Sequence, residues 1–359
     1  MPADKFLIDG HKLYWHIDRV VEWQKDRLIP PIYIEVSPIS TCNHQCVFCG
    51  IDFVRGQGDN LNSEVFYTRL REMGKIGVRS MMFAGEGEPL LHKDIRLFIR
   101  TAKESGIDVS MTTNGSLGNY ELWKDILPHL TWLRFSIDAG TPEVYSKVHG
   151  VPESFFERTI QSIKAALAVK NDFHLDVTIG VQYLIIGENI NDIENALKLF
   201  SGIKVDYFSL KPFSFNPKML KKRDELYTAG TIEHIQRIVD RHNGSSGMTV
   251  VFRKDAIGKY MCREKLFKHC YALPFGGYIS SKGDFYTCKE FIGDERFNAG
   301  NIYEDDMEKV FFGEQRMKSI RYGEKELTIG AECRTNCRMA RINEFLGFLE
   351  KKPEHINFI

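Results

Sequence analysis

Cys42, Cys46 and Cys49 stand within eight residues, directly after the β-like run Ile32-Tyr33-Ile34-Glu35-Val36. Their spacing, three residues and then two, lets one loop wrap a metal cluster while the strand behind holds that loop at the rim of a sheet. A cube of four irons and four sulfides takes four ligands, normally all cysteine. Three cysteines leave one iron open. An open coordination position separates a reactive metal site from a structural one, as catalytic and structural zinc sites illustrate. The loop therefore reads as catalytic, with zinc and a distant fourth ligand as the rival reading.

At 359 residues the chain exceeds what one hydrophobic core usually fills, so a large domain with a smaller companion is expected. Forty-eight basic and 48 acidic side chains cancel, and no long run of one sign occurs. The electrostatic footprint of a nucleic-acid binder is missing, and a small polar substrate fits better. Met1-Pro2-Ala3-Asp4-Lys5 leads into no apolar signal core, and no uncharged stretch reaches the roughly 20 residues that span a membrane. A cytoplasmic protein with no membrane partner is expected. In that reducing compartment the eight cysteines, three near the start and five after residue 260, point to two metal sites instead of disulfides.

Leu13, Ile17, Val20 and Val21 fall at helical spacing in residues 1–31, before the Pro30-Pro31 break, and predict a helix packed outside a sheet. From Ile32 to about Val251 short apolar runs alternate with helical patterns, the signature of repeated βα units and a parallel sheet. Strands are predicted at Ile32–Val36, Arg79–Phe83, Asp108–Thr112, Trp132–Ile137, Leu175–Ile185 and Val205–Leu210. Helices are predicted at Ser63–Lys75, Asp94–Lys103, Tyr120–Leu127, Glu153–Val169 and Asp192–Phe200. Six such strands make an α/β fold with an open, partial (β/α)6 barrel. Ligands in such sheets bind outside the carboxyl ends of the strands. There Gly85-Glu86-Gly87-Glu88-Pro89, Thr113-Asn114-Gly115 and Asp138-Ala139-Gly140 line one mouth with the cysteine loop. The linker Asn243-Gly244-Ser245-Ser246-Gly247 precedes a further strand, Met248–Phe252. This divides the chain into an extension at 1–31, a barrel at 32–253 and a cysteine-rich domain at 254–359. In the last part Tyr278-Ile279 and Phe285-Tyr286 flank Ser280-Ser281-Lys282-Gly283-Asp284, a β-hairpin with a glycine turn, and Arg341–Glu350 reads as helical.

Cys-x3-Cys-x2-Cys with Phe48 before its last cysteine, followed by Gly87-Glu88-Pro89 after the second strand, resembles the radical S-adenosylmethionine (SAM) superfamily. The resemblance implies that SAM chelates the open iron of a [4Fe–4S] cluster and, on reduction, yields a 5′-deoxyadenosyl radical that removes hydrogen from substrate. The cofactor carries the hard step, and the protein supplies binding, orientation and exclusion of water. A one-electron reductant such as flavodoxin or ferredoxin is implied as partner. By position, Gly87 and Glu88 match the family segment that receives the SAM ammonium, while Glu86 stands where the family has glycine. Phe48 resembles the aromatic that flanks adenine, and Asn114, Ser136 and Gln182 occupy places where relatives contact SAM. Read without the resemblance, Gly87-Glu88-Pro89 is a turn, and Ser136 and Gln182 are satisfied sheet residues. His44 is then a solvated loop residue or a proton carrier.

Cys270, then twelve residues, Gly283, four residues and Cys288, followed by Cys333-x3-Cys337, resembles the SPASM/Twitch subgroup of that superfamily. Cys270, Cys288, Cys333 and Cys337 suffice for one fully ligated auxiliary [4Fe–4S] cluster, which favours the shorter Twitch version. Cys262 is left over as a buried thiol or as a replacement for Cys270, and a zinc knuckle is the rival for the whole site. A fully ligated cluster suits acceptance of an electron from a substrate radical, because cluster potentials are tunable over several hundred millivolts. The cysteine inventory resembles that of a single-cluster relative that oxidises an aminocyclitol alcohol to a ketone. Such a dehydrogenation needs a base, for which Glu290, Lys211 and Asp138 are candidates. The expected function is oxidation of a sugar, aminocyclitol or sugar nucleotide. The alternatives are peptide or protein side-chain modification and redox-neutral epimerisation or dehydration. A non-enzymatic metal scaffold is a further one. The 31 residues before the first strand are too few for a peptide-recognition domain, which ranks the peptide reading second.

Overall fold

A computed structural model describes residues 11–213, 216–220, 226–242, 247–262, 265–334, 336–351 and 353–358. The linker residues 243–246 lie outside the described residues, as does the side chain of Cys262. After a short 3-10 turn, α1 (Ile17–Lys25) leads to the first βα units: β1 (Tyr33–Val36), α2 (Ser63–Ile76), β2 (Ser80–Phe83), α3 (Ile95–Glu104), β3 (Asp108–Thr113), α4 (Tyr120–Ile126) and β4 (Trp132–Ser136). Next come α5 (Pro142–His149), α6 (Ser154–Asp172), β5 (Thr178–Ile185), α7 (Ile193–Ile203), β6 (Tyr207–Pro212), α8 (Ala229–His242), β7 (Thr249–Phe252) and α9 (Lys254–Cys262). The cysteine-rich region adds β8 (Gly276–Ile279), β9 (Asp284–Tyr286), β10 (Asn298–Asn301), α10 (Met307–Phe312), α11 (Glu314–Lys325), α12 (Ile329–Glu332) and α13 (Ala340–Glu350).

All ten strands form one sheet, in the order β10-β9-β8-β1-β2-β3-β4-β5-β6-β7. The run from β1 to β7 is parallel throughout. The run therefore holds seven strands, one more than the predicted six-stranded barrel, because Thr249–Phe252 pairs with β6 across the linker. Period-2 alternation sorts the side chains. On β4, Leu133 and Phe135 are fully buried with the helices, while Trp132, Arg134 and Ser136 are half-buried on the concave face. The helices cover the convex face through stripes such as Ile95, Phe98, Ile99 and Ala102 of α3. Local punctuation agrees with the observed ends: Asn62 caps α2 through its Oδ1 and the Val65 amide at 3.1 Å, and Gly77 closes it at φ 105°.

The cysteine-rich region is stitched into the same sheet. β8 pairs in parallel with β1, and the hairpin β8–β9 turns at Gly283 with φ 86°. The first strand thus has the second strand on one side and the cysteine-rich region on the other. The extension does not lie on the sheet as expected. Trp23 of α1 is fully buried against Tyr271 and Phe275, in a cluster that includes Leu346 of α13. Buried Arg316 adds bonds to the carbonyls of Ile29, Phe311 and Pro274 at 2.7–2.8 Å. Among the described residues no helix is long and apolar enough to cross a membrane.

Candidate active site

The cysteine loop leaves β1 at Val36 and is pinned from three sides. From β2 comes Gly87, where an added Cβ would lie 2.1 Å from the Thr41 carbonyl oxygen and 2.6 Å from that of Ile39. Glycine is the residue that allows this approach. The Glu88 amide donates to the Thr41 carbonyl at 2.9 Å. From β3, Asn114 Nδ2 donates to Asn43 Oδ1 at 2.8 Å, and Asn43 Nδ2 donates to Ser116 Oγ at 2.9 Å. The third side is α5: the Gln45 and Val47 amides donate to the carbonyls of His149 and Val148 at 2.8 and 2.9 Å.

Helix α5 was not foreseen, although Pro142 at its first position and Gly150 after its last are the sequence signal for it. It brings two side chains that sequence reasoning missed. His149 is fully buried, donates from Nε2 to the Ile137 carbonyl at 2.5 Å, and so accepts at Nδ1 from Cys46 Sγ at 3.1 Å. Tyr145 is bonded to His44 Nε2 at 2.9 Å. His44 is therefore neither solvated nor positioned as a proton carrier. It is buried, and that burial pushes its pKa down to about 4.

The thiols of the loop are held in a low-dielectric setting. Burial pushes Cys42 up to about 11, with Glu88 and Cys49 adding repulsion. Cys46 is raised further by burial and by Cys42 and Cys49. Bringing such thiols together as thiolates needs a bound cation or cluster. The second group behaves alike. Cys270 is pushed up to about 12 by burial and by Cys337, and Cys288 is raised by burial, Glu290, Cys337 and Cys270. Cys333 and Cys337 share a hydrogen bond that holds the Cys337 thiol down and the Cys333 thiol up. Cys270 Sγ also accepts from Asn343 Nδ2 at 3.7 Å. Among the described residues no three His, Cys, Asp or Glu side chains close around a single ion. A four-iron cube spreads its cysteines wider than one ion does, and the two all-thiol groups fit such clusters.

The remaining candidates fall around the concave lumen. Glu88 is buried, accepting from Thr113 Oγ1 at 2.5 Å and from the Asn114 and Leu90 amides at 2.8 and 3.1 Å. Ser136 pairs in register with Gln182, whose buried Oε1 has no partner. An orphaned acceptor of this kind fits a bound polar cofactor. Phe48 is buried with its ring 5.5 Å from that of His149. Glu86 points elsewhere: its carboxylate accepts from Tyr278 OH at 3.0 Å, the Ser281 amide at 3.3 Å and the Ser281 hydroxyl. Its side chain is thus committed to the β8–β9 hairpin, leaving only its backbone for a cofactor. Glu86→Ala would strand three buried donors, and we expect a loss of about 3 kcal/mol, seen as a melting temperature lower by about 6 °C. An unchanged melting temperature would refute the strut.

Of the three candidate bases, Asp138 has no exposure. It adopts φ 56°, its Oδ1 accepts from the Leu184 amide at 2.5 Å, and its Oδ2 stands 3.7 Å from His149 Nε2. Burial pushes it up to about 7. That placement faces the support of the cysteine loop and not the lumen. Glu290 is held by Arg334 at 2.6 Å and Asn216 at 3.1 Å. Lys211, at the end of β6, is only partly buried, and desolvation together with Arg134, Arg253 and Arg334 holds its pKa well below the usual lysine range.

The two cysteine groups on one parallel sheet define a class of cluster-bearing barrel proteins. The Radical SAM superfamily model matches residues 36–200, and the SPASM model, an iron-sulfur cluster-binding domain, matches residues 270–338. The chain is a member of the radical SAM superfamily and carries a SPASM domain. That membership implies SAM with a [4Fe–4S] cluster, and iron–sulfur binding in the second region. Similar curated proteins are named probable GTP 3′,8-cyclase. That of Saccharolobus islandicus is 27% identical over 197 residues, 54% of this chain and 61% of its own length. That of Pyrobaculum aerophilum is 30% identical over 189 residues, 52% of this chain and 59% of its own. The chain thus spans about three-fifths of the length of these relatives. A crystal structure of Streptococcus suis SuiB bound to precursor peptide SuiA superposes with a TM-score of 0.66 at 18% identity, over 95% of this chain and 78% of that one. Native anSMEcpe with bound AdoMet gives 0.61 at 16% identity, over 88% of each chain. These likenesses concern the fold.

Proposed function

We propose that this chain is a radical SAM oxidoreductase that takes hydrogen from a small hydroxylated substrate, a sugar or sugar nucleotide, held in the lumen. The observation that carries this reading is the lumen itself, a polar chamber on one sheet with a three-thiol loop and a four-thiol group at its borders. When bound, SAM and the first cluster supply a 5′-deoxyadenosyl radical, and the auxiliary cluster supplies an electron acceptor. Cys42, Cys46 and Cys49 would hold the first cluster, and Cys270, Cys288, Cys333 and Cys337 the second. Gly87, Glu88, Asn114, Ser136, Gln182 and Phe48 orient SAM, with Phe48 and its apolar neighbours keeping water from the adenine side. Flavodoxin or ferredoxin in the cytoplasm is the reductant.

Reconstituted protein incubated with sugars, sugar phosphates and sugar nucleotides deuterated on the ring should move one deuterium into 5′-deoxyadenosine. The product should be lighter by two hydrogens. No transfer from any of these compounds would sink the proposal. The names of the curated relatives favour a second reading, redox-neutral cyclisation of a nucleotide, for which deuterium transfer would accompany a product of unchanged mass.

A further inference from the structure

The lumen carries more positive charge than its own acids neutralise. Glu35 is met by Lys289 and, at 3.5 Å, by Arg338. Glu290 is met by Arg334 at 2.6 Å. Arg134 of β4 and Lys211 of β6 are left over. Arg134 donates from Nη2 to Thr112 Oγ1 at 2.9 Å and lies 5.2 Å from the centre of the Trp132 ring, yet its buried Nε has no partner. Among the described residues the Lys211 ammonium makes no ion pair. The charges acting on it are Arg134, Arg253 and Arg334 against the single acid Asp138. Asp138 is a weak counter-charge, since its own burial favours the neutral acid.

These two cations are not the ones that balance the thiols. Arg55 acts on Cys42 and Cys46, while Arg334 and Lys265 act on Cys337. Desolvated like charges facing one another are unfavourable unless an anion joins them. An arginine with a free donor beside a lysine offers a planar fork and a point charge, the pairing that suits phosphoryl and carboxylate oxygens.

We propose that Arg134 and Lys211 bind an anionic group of the substrate, phosphoryl or carboxylate, inside the lumen. This rests on the lumen being the substrate chamber. It assigns Lys211 to binding instead of proton removal, and it disfavours a cationic aminocyclitol, which the same field would repel. Among sugars it selects phosphorylated or acidic ones.

Equilibrium dialysis of the reconstituted protein, saturated with SAM, against labelled pyrophosphate and separately against labelled malonate tests the assignment and separates the two anion classes. One of them should bind at a single site per chain. Lys211→Met and Arg134→Gln should each weaken it about tenfold or more, Lys211→Arg should restore most of it, and melting temperatures should report intact folding. Labelled SAM should bind the variants as it binds the parent. If neither anion saturates a single site, or if the variants bind as the parent does, the inference is overturned. A parallel loss of SAM affinity also overturns it, by giving these cations to the cofactor's carboxylate. Failure here leaves SAM cleavage without substrate untouched, whereas failure of the radical reading abolishes that cleavage and leaves the dialysis result standing.

Discussion

Replacing Cys42, Cys46 and Cys49 together by alanine should abolish SAM cleavage, a drop of roughly a thousandfold or more, because no side chain replaces the one-electron chemistry of the cluster. The loop is otherwise held by bonds that the substitution leaves in place. The Gln45 and Val47 amides still reach α5, Asn43 still reaches Asn114, and Glu88 still donates to Thr41. Of the sulfur contacts, the one lost is that of Cys46 to His149 at 3.1 Å. The fold should therefore survive, and anaerobic iron analysis should fall from about eight to about four per chain, the complement of one remaining cluster. Persistent formation of 5′-deoxyadenosine, or a loss of all iron, would show that the two cysteine groups do not act as separate sites.

The sequence announces the parts of this site whose chemistry is local. Cys42, Cys46 and Cys49 lie on one loop, and Gly87-Glu88-Pro89 on one turn, so spacing alone places them at the carboxyl ends of β1 and β2. The strands of the barrel are legible for a similar reason: both faces of a parallel sheet are covered, and the apolar runs stand out. Glu86 shows where that legibility stops. Its partners Tyr278 and Ser281 lie about 190 residues away, and nothing local reveals that β8 pairs with β1. His149 and Tyr145 were missed because α5 is a short helix whose support of the loop is made through backbone carbonyls. Arg134 was missed because one charged residue in a strand reads as an outward-facing position. Here the second face of the sheet is a chamber, so the same alternation puts the charge where a substrate would sit.

Gly87→Ala should be the most damaging single substitution outside the cysteines. The added methyl would sit 2.1 Å from the Thr41 carbonyl oxygen and 2.6 Å from that of Ile39, both backbone atoms at the root of the cysteine loop. Neither atom belongs to a flexible side chain, so one of the two segments must move. Moving the β2 turn withdraws the Glu88 amide from Thr41 and carries the Glu88 carboxylate away from Thr113 and Asn114. Moving the cysteine loop misplaces Cys42, the next residue along. Forcing overlap in a packed site typically costs about 1 to 3 kcal/mol, and buried bonds are broken in addition. We expect a loss of about 3 kcal/mol or more, with iron at the first site reduced and SAM cleavage lowered at least about a hundredfold. Gly187→Ala is the matched control, since a Cβ there meets nothing within 4 Å, and its effect should stay within about 0.5 kcal/mol. If Gly87→Ala matched that control in melting temperature and in iron content, the close approach of the β2 turn to the cysteine loop would not be what positions the cluster.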